Sequence, residues 1–170
     1  KVNEVSRQLV ERRIDHNEAC RLLTTIARER TGFSLGPSMI ASGLVGGSFA
    51  VLQNASFYEL GASFAVAMVV RFIAHVVSRL HGVRFTFEFM GGVMAALVGS
   101  VIHGIWPDLS SEIIIVGGIM PLVPGVAVTN AVRDVIAGDL LSGISRGMEA
   151  ALTSAAVAMG VVIVLALYTM

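Results

Sequence analysis

The sequence predicts an all-α, polytopic integral membrane protein, in which an N-terminal amphipathic helical hairpin precedes five transmembrane helices. The first observation is composition: 55% of the 170 residues are hydrophobic and 14% are charged, whereas soluble domains are roughly 45–50% apolar and about 25% charged. The second is a series of five apolar runs, each approaching or exceeding the roughly 20 residues that cross a bilayer core. The third is that these runs are continuous, whereas membrane strands alternate over about ten residues.

Residues 1–35 are predicted to form the cytoplasmic amphipathic hairpin, and residues 36–170 the transmembrane domain. Apolar residues keep helical spacing in both halves of the hairpin, and Asp15 followed by Glu18 resembles a capping box at the start of its second helix. We expect a soluble element that packs under the membrane domain. Its arginines leave a second interpretation open, in which the hairpin binds anionic lipid headgroups.

The apolar runs place the five spans at about 36–53, 60–78, 89–106, 113–137 and 144–168. Small residues recur at four-residue spacing in three of these spans, at Gly43 and Gly47, Ala95 and Gly99, and Gly143 and Gly147. Because small residues let helix backbones approach closely in lipid, these pairs predict helix contacts.

The connections between spans alternate in charge. The first, residues 54–59, and the third, residues 106–112, contain no Lys or Arg. Arginines flank the second and fourth connections, at Arg79, Arg84, Arg133 and Arg146. The positive-inside rule therefore predicts a cytoplasmic amino terminus and an outer carboxyl terminus in the cytoplasmic (inner) membrane.

The fourth span contains a break. Pro121, Pro124 and Gly125 interrupt it, and each proline removes a backbone donor. Interrupted helices hold the substrate in many secondary transporters, because their ends offer unpaired amides and carbonyls. The break, with Thr129 and Asn130 beyond it, is therefore the predicted substrate site. A proline kink used only for packing is the alternative.

Charged groups inside apolar runs are the other candidates, because such groups are costly in hydrocarbon. Arg71 is predicted to bind a substrate carboxylate beside His75, which follows one turn later on the same helix face. The alternative is a structural arginine paired with a carboxylate such as Glu88 or with carbonyls of the broken helix.

Several titratable groups are candidates for proton coupling or gating. Glu88 and His103 lie near opposite ends of the third span, where an interfacial anchor is the alternative role for each. His75 belongs to the same set, and the remaining candidates follow the break: Arg133, Asp134, Asp139 and Arg146.

Other chemistries lack a sequence signal. There is no Cys/His spacing for zinc, no G-x-S-x-G and no phosphate-binding loop, so neither an enzyme nor a cofactor is predicted. The basic amino-terminal segment is balanced by acidic residues, which gives no indication of nucleic-acid binding. Cys20 is the single cysteine and cannot form an intrachain disulfide.

Two segments carry a family resemblance: PLVPGVAVTNAVRD at 121–134 and GDLLSGISR at 138–146. They resemble the signature of the threonine/serine exporter family, and the layout of nearly the whole chain is similar to that family. The resemblance implies a helical membrane domain that exports small polar metabolites. Some members resemble threonine and serine exporters, and a two-subunit branch is linked to succinate. In the fused form a second membrane domain follows, which implies a partner half for this chain.

The leading hypothesis is proton-coupled export of threonine or serine by an antiporter. The first alternative is a dicarboxylate (succinate) exporter subunit, and the second is an assembly subunit that does not transport. The predicted partners are a small-molecule substrate, membrane lipid, and either further copies of the chain or a second membrane half that meets it near Pro124 and Gly125.

Overall fold

The computed structural model describes residues 2–11, 13–28, 34–78 and 85–168. Within these ranges the regular elements are helices and no strand occurs. The chain divides into two compact units, residues 1–34 and 35–170. Arg79 and Arg84, which contribute to the predicted orientation, lie outside the described residues.

The first unit is a pair of short amphipathic helices, α1 (Val2–Val10) and α2 (His16–Arg28). Val5 and Ala19 are its buried apolar residues among those described. Arg7 forms an exposed ion pair with Glu4 at 2.9 Å, one turn away on α1. The described part of the hairpin thus buries few apolar residues, and Val2 and Val10 stay 56% and 80% exposed.

The second unit contains four continuous helices that are long and apolar enough to cross a membrane. They are α3 (Leu35–Leu52), α4 (Phe57–Ser78), α5 (Thr86–Ile105) and α8 (Leu140–Tyr168). Between them, α6 (Ser111–Ile119) with a 3-10 turn (Met120–Leu122) is bent by 58° against α7 (Gly125–Ile136). The predicted all-α polytopic bundle is confirmed, with four continuous spans, or five if the bent pair crosses the membrane as the predicted interrupted span.

The core of this unit lies between α4, α5 and α6, where Val66, Val70, Ala95 and Ile114 form a buried cluster. The predicted small-residue pairs lie at helix contacts. A Cβ would meet a neighbouring side chain at 2.8 Å on Gly43, at 2.5 Å on Gly99 and at 2.4 Å on Gly143. Gly47 and Gly147 have ordinary contacts, at 3.7 and 3.8 Å. Close packing through small side chains, predicted from their spacing, is confirmed.

The register of α6 against α5 locates the break. The two helices are antiparallel, because Ile115 packs on Gly99 while Leu122 packs on Gly91, nearer the start of α5. A Cβ on Gly91 would lie only 2.4 Å from the Leu122 side chain. The residues after Leu122 therefore leave the bundle beside the first turn of α5.

Helix α8 runs parallel to α5 and extends past its start. Val157 packs on Gly92, and the Tyr168 hydroxyl lies beside Gly104 near the other end of α5. Leu140 precedes Val157 by 17 residues, about 25 Å of helix, whereas α5 begins only six residues, about 9 Å, before Gly92. About the first ten residues of α8 thus lie beyond the α5 contact.

The extended half of α8 pairs with α7 as an antiparallel hairpin, which we call the α7–α8 hairpin. Gly143 of α8 packs on Val135 of α7. Gly138 adopts a φ of 90° and closes α7, with amide bonds from Gly138 to Val135 and from Asp139 to Asp134. This is a Schellman cap, which requires the left-handed conformation that glycine adopts at little cost.

Candidate functional site

The broken helix has unpaired backbone groups on both sides. After the 3-10 turn, the Gly125 amide bonds to Val123, and the first helical bond of α7 runs from Val128 to Pro124 at 3.0 Å. Among the described residues, no backbone bond is made to the carbonyls of Pro121 and Leu122 or from the amides of Val126 and Ala127. No side chain caps α7. The break therefore presents two acceptors and two donors within seven residues.

The half before the break is fixed to the bundle. Pro121 supplies no amide to the Gly117 carbonyl, and this carbonyl packs against Gly46 of α3. A Cβ on Gly46 would lie 2.7 Å from that oxygen, and a Cβ on Gly117 would lie 3.1 Å from the Gly46 oxygen. Only glycines permit this reciprocal approach, so α6 is held tightly while α7 packs on α8.

Glu88 lies at the level of the break. It occupies the first turn of α5, one turn before Gly91, and Leu122 packs on Gly91. Its side chain is only 7% exposed, and its Oε2 has no hydrogen-bond partner. A buried polar oxygen without a hydrogen-bond partner is costly, so a hydrogen-bond donor placed beside it would be stabilising.

Arg71 lies on a different face of α4 from the core residue Val70. Its side chain is exposed, and its Nε donates to the Ser38 hydroxyl at 2.7 Å. Ser38 is only three residues from the start of α3, so the guanidinium reaches towards that helix end. His75 is partly buried and follows one turn later. The predicted role of Arg71 in substrate binding stays a prediction.

His103 lies about 22 Å along α5 from Glu88, near the opposite end of the helix. Its Nδ1 is 2.7 Å from the carbonyl oxygen of Leu109, in the loop that leads to α6. Ser100, one turn earlier, has a buried hydroxyl without a hydrogen-bond partner. The structure thus gives His103 a loop contact and does not bring it to the break.

The polar candidates after the break connect the two helices of the α7–α8 hairpin. Asp134 accepts a hydrogen bond from the Ser142 hydroxyl at 3.0 Å and forms an ion pair with Arg146 Nε at 3.1 Å. Asp139 caps α8 by accepting the Ser142 amide at 3.2 Å. Arg133 is exposed. Proton coupling or gating by these groups stays a prediction.

Thr129 and Asn130 follow the break on α7. The Thr129 hydroxyl donates to the carbonyl of Gly125, which lies one turn earlier in the same helix. Asn130 is partly buried. The hydroxyl of Thr129 is therefore bonded within α7, and its predicted contact with substrate stays a prediction.

Sequence reasoning missed the role of Glu59. Its carboxylate, 8% exposed, accepts the amide and hydroxyl of Ser56 at 2.7 and 2.8 Å and the amide of Ser110 at 2.8 Å. It thereby joins the start of α4 to the start of α6. The pattern Ser56-x-x-Glu59 is a capping box and indicated half of this network, whereas the contact with Ser110 spans 51 residues.

Within the described ranges, no group of three or more His, Cys, Asp or Glu side chains is placed to hold a metal ion. A family model described as "Putative threonine/serine exporter" matches residues 1–168. No curated protein and no solved structure matches the chain.

Proposed function

The chain belongs to the threonine/serine exporter family, and from that membership we propose that it exports threonine or serine across the cytoplasmic membrane in exchange for protons. The observation that supports this most directly is that the break has unpaired backbone carbonyls on one side and unpaired backbone amides on the other. A zwitterionic amino acid carries its carboxylate and its ammonium on the same carbon atom, so it requires donors and acceptors close together.

The two sides of the break offer these partners. The amides of Val126 and Ala127 lie at the positive end of the α7 dipole and suit a carboxylate. The carbonyls of Pro121 and Leu122 suit an ammonium. In a membrane span, groups of this kind are tolerated where protein or a wet cavity satisfies them.

The α7–α8 hairpin has an apolar surface that lipid or a protein partner can cover. Its outer surface carries large apolar side chains, with Ile136 81% and Leu141 82% exposed. We propose that further copies of this chain or a second membrane half cover part of this surface near Pro124. Alternating access generally needs two repeats or bundles, which agrees with this arrangement.

The orientation proposed from charge, with a cytoplasmic amino terminus, is tested by impermeant thiol labelling of intact cells. In a Cys20→Ser background, a cysteine replacing Asp108 should react from outside and one replacing Gly36 should not. Labelling with the opposite sidedness would reverse the proposed topology.

Counterflow in liposomes tests the function. We expect the wild-type chain, alone or with a partner half, to exchange labelled threonine and serine. Exchange of succinate instead would favour the dicarboxylate alternative, and no exchange under either condition would favour a subunit that does not transport.

A triple variant tests whether the break forms the site. Replacing Pro121, Pro124 and Gly125 with Ala restores a continuous helix, so counterflow should fall to background in a well-folded protein. Pro37→Ala, in the exposed first turn of α3, is the matched control and should retain counterflow. Unimpaired transport by the triple variant would reject the break as the site.

A further inference from the structure

Glu88 is buried at the level of the break with one carboxylate oxygen unpartnered. It continues the buried stripe of α5 by one turn beyond Gly91 and Gly92. Gly91 contacts Leu122, the last residue of the 3-10 turn, and Gly92 contacts Val157 of α8. The 3-10 turn and α8 therefore both contact α5 one turn from Glu88.

Most of the charged groups described on α4, α6 and α8, which pack against α5, have partners of their own, including Glu59 of α4 with Ser56 and Ser110. On α4, Arg71 donates to Ser38, and His75 has a partner of its own. On α8, Arg146 is paired with Asp134, and Glu149 also has a partner. The acidic residue of α6, Glu112, lies at the far end of that helix. None of these described groups supplies a hydrogen bond to Glu88 Oε2.

Two kinds of occupant satisfy such an oxygen: a proton, or a cation that donates hydrogen bonds. A substrate with an ammonium group provides the second kind. The two occupants exclude each other, because a protonated carboxyl has lost the charge that holds the ammonium.

Resting on the proposed function, we infer that Glu88 is the position at which a proton and the substrate ammonium compete, and that this competition couples export to proton uptake. When substrate binds from inside, the O–H bond of the Glu88 carboxylic acid breaks, the proton passes to water on that side, and the ammonium keeps its three protons. When substrate leaves on the other side, a proton from that side forms the O–H bond again.

The first experiment measures protons released by the purified wild-type protein in weakly buffered solution. Adding threonine should acidify the solution, by up to one proton for each threonine bound. N-acetylthreonine keeps the carboxylate but has no ammonium, so it should release none. Absence of acidification by threonine across the acid to neutral range would overturn the inference, as would equal acidification by N-acetylthreonine or by sodium ions alone.

The second experiment compares Glu88→Gln with Glu112→Gln, an exposed carboxylate at the start of α6. Glu88→Gln should lose proton release and the pH dependence of threonine binding. Its affinity should fall by roughly 10–100-fold, the equivalent of a charge-assisted hydrogen bond of about 1.5–3 kcal/mol. Glu112→Gln should retain all three properties.

Transport and binding by the Glu88→Gln protein separate the inference about Glu88 from the proposed export function. A Glu88→Gln protein that exchanges threonine with unchanged affinity and pH dependence overturns the competition at Glu88, while wild-type counterflow still supports export. A Glu88→Gln protein that keeps normal affinity but loses only proton-driven accumulation assigns the proton alone to Glu88, which also overturns the shared position. If Glu88→Gln does not fold, the wild-type proton release decides.

Discussion

Replacing Gly160 with Ala should weaken the contact between α5 and α8. A Cβ at Gly160 would lie 2.3 Å from the Phe89 carbonyl oxygen and 2.8 Å from the Val93 amide nitrogen. Ordinary contact begins at 3.4 Å, so the helices must separate by about 1 Å, and the close-packed groups around them must shift as well. The obstructing atoms belong to the α5 backbone and cannot move aside as a flexible side chain does.

The magnitude follows from comparison with Gly147→Ala on the same helix. A Cβ at Gly147 would lie 3.8 Å from the Ala131 side chain, which is ordinary contact. Both substitutions gain about 1 kcal/mol of helix propensity, so the difference between them isolates overpacking, typically 1–3 kcal/mol. At about 2–4 °C per kcal/mol for a chain of this size, Gly160→Ala should melt about 2–12 °C below Gly147→Ala.

Thermal denaturation in mild detergent, followed by size-exclusion chromatography of the surviving fraction, measures this difference. Both variants must first show the wild-type elution volume and helical circular dichroism. A Gly160→Ala protein that melts at or above Gly147→Ala would refute the backbone contact between α5 and α8.

Three further changes test other contacts. Glu59→Gln should lower the melting temperature through loss of a charge-assisted hydrogen bond of about 1.5–3 kcal/mol. The control Glu112→Gln changes an exposed side chain and should leave the melting temperature unchanged. Equal melting temperatures of the two variants would contradict the Glu59 network. Gly138→Ala should destabilise the protein by about 1–2 kcal/mol because it forces a residue with a side chain into the left-handed conformation. The control Gly61→Ala has open space around it and should be neutral or stabilising. A lower melting temperature for Gly61→Ala than for Gly138→Ala would rule out the α7 cap. Arg71→Gln should lower threonine affinity by roughly 10–100-fold if Arg71 binds the substrate carboxylate, as predicted from the sequence. A lower melting temperature with unchanged affinity would instead assign Arg71 to its contact with Ser38.

The features predicted best from sequence depend on local backbone chemistry. Pro121 and Pro124 lack amide hydrogens in any fold, so an interruption was predictable from their positions in an apolar run. The roles of Gly138 and Asp139 also depend on local backbone chemistry, because Gly138 ends α7 and Asp139 caps α8. Long apolar runs similarly predict spans, because every backbone group in lipid must be paired internally.

The contacts of side chains between helices were harder to predict from the sequence. Arg71 and Glu88 both interrupt apolar runs, but hydropathy does not distinguish an exposed face of α4 from a buried face of α5. The partner of Arg71 comes from another helix, 33 residues away. Register between helices decides which groups meet at the break, and that register depends on glycine contacts such as Gly91 with Leu122.

The single long helix α8 has a mechanical consequence. Its tight contact with α5 at Gly160 divides it into arms of about 30 Å towards Leu140 and about 12 Å towards Tyr168. A tilt about that fulcrum moves the two ends in opposite directions, with the longer arm travelling about 2.5 times as far. In such a tilt, a displacement of the Tyr168 end, beside Gly104, would accompany one about 2.5 times as large at the Leu140 end.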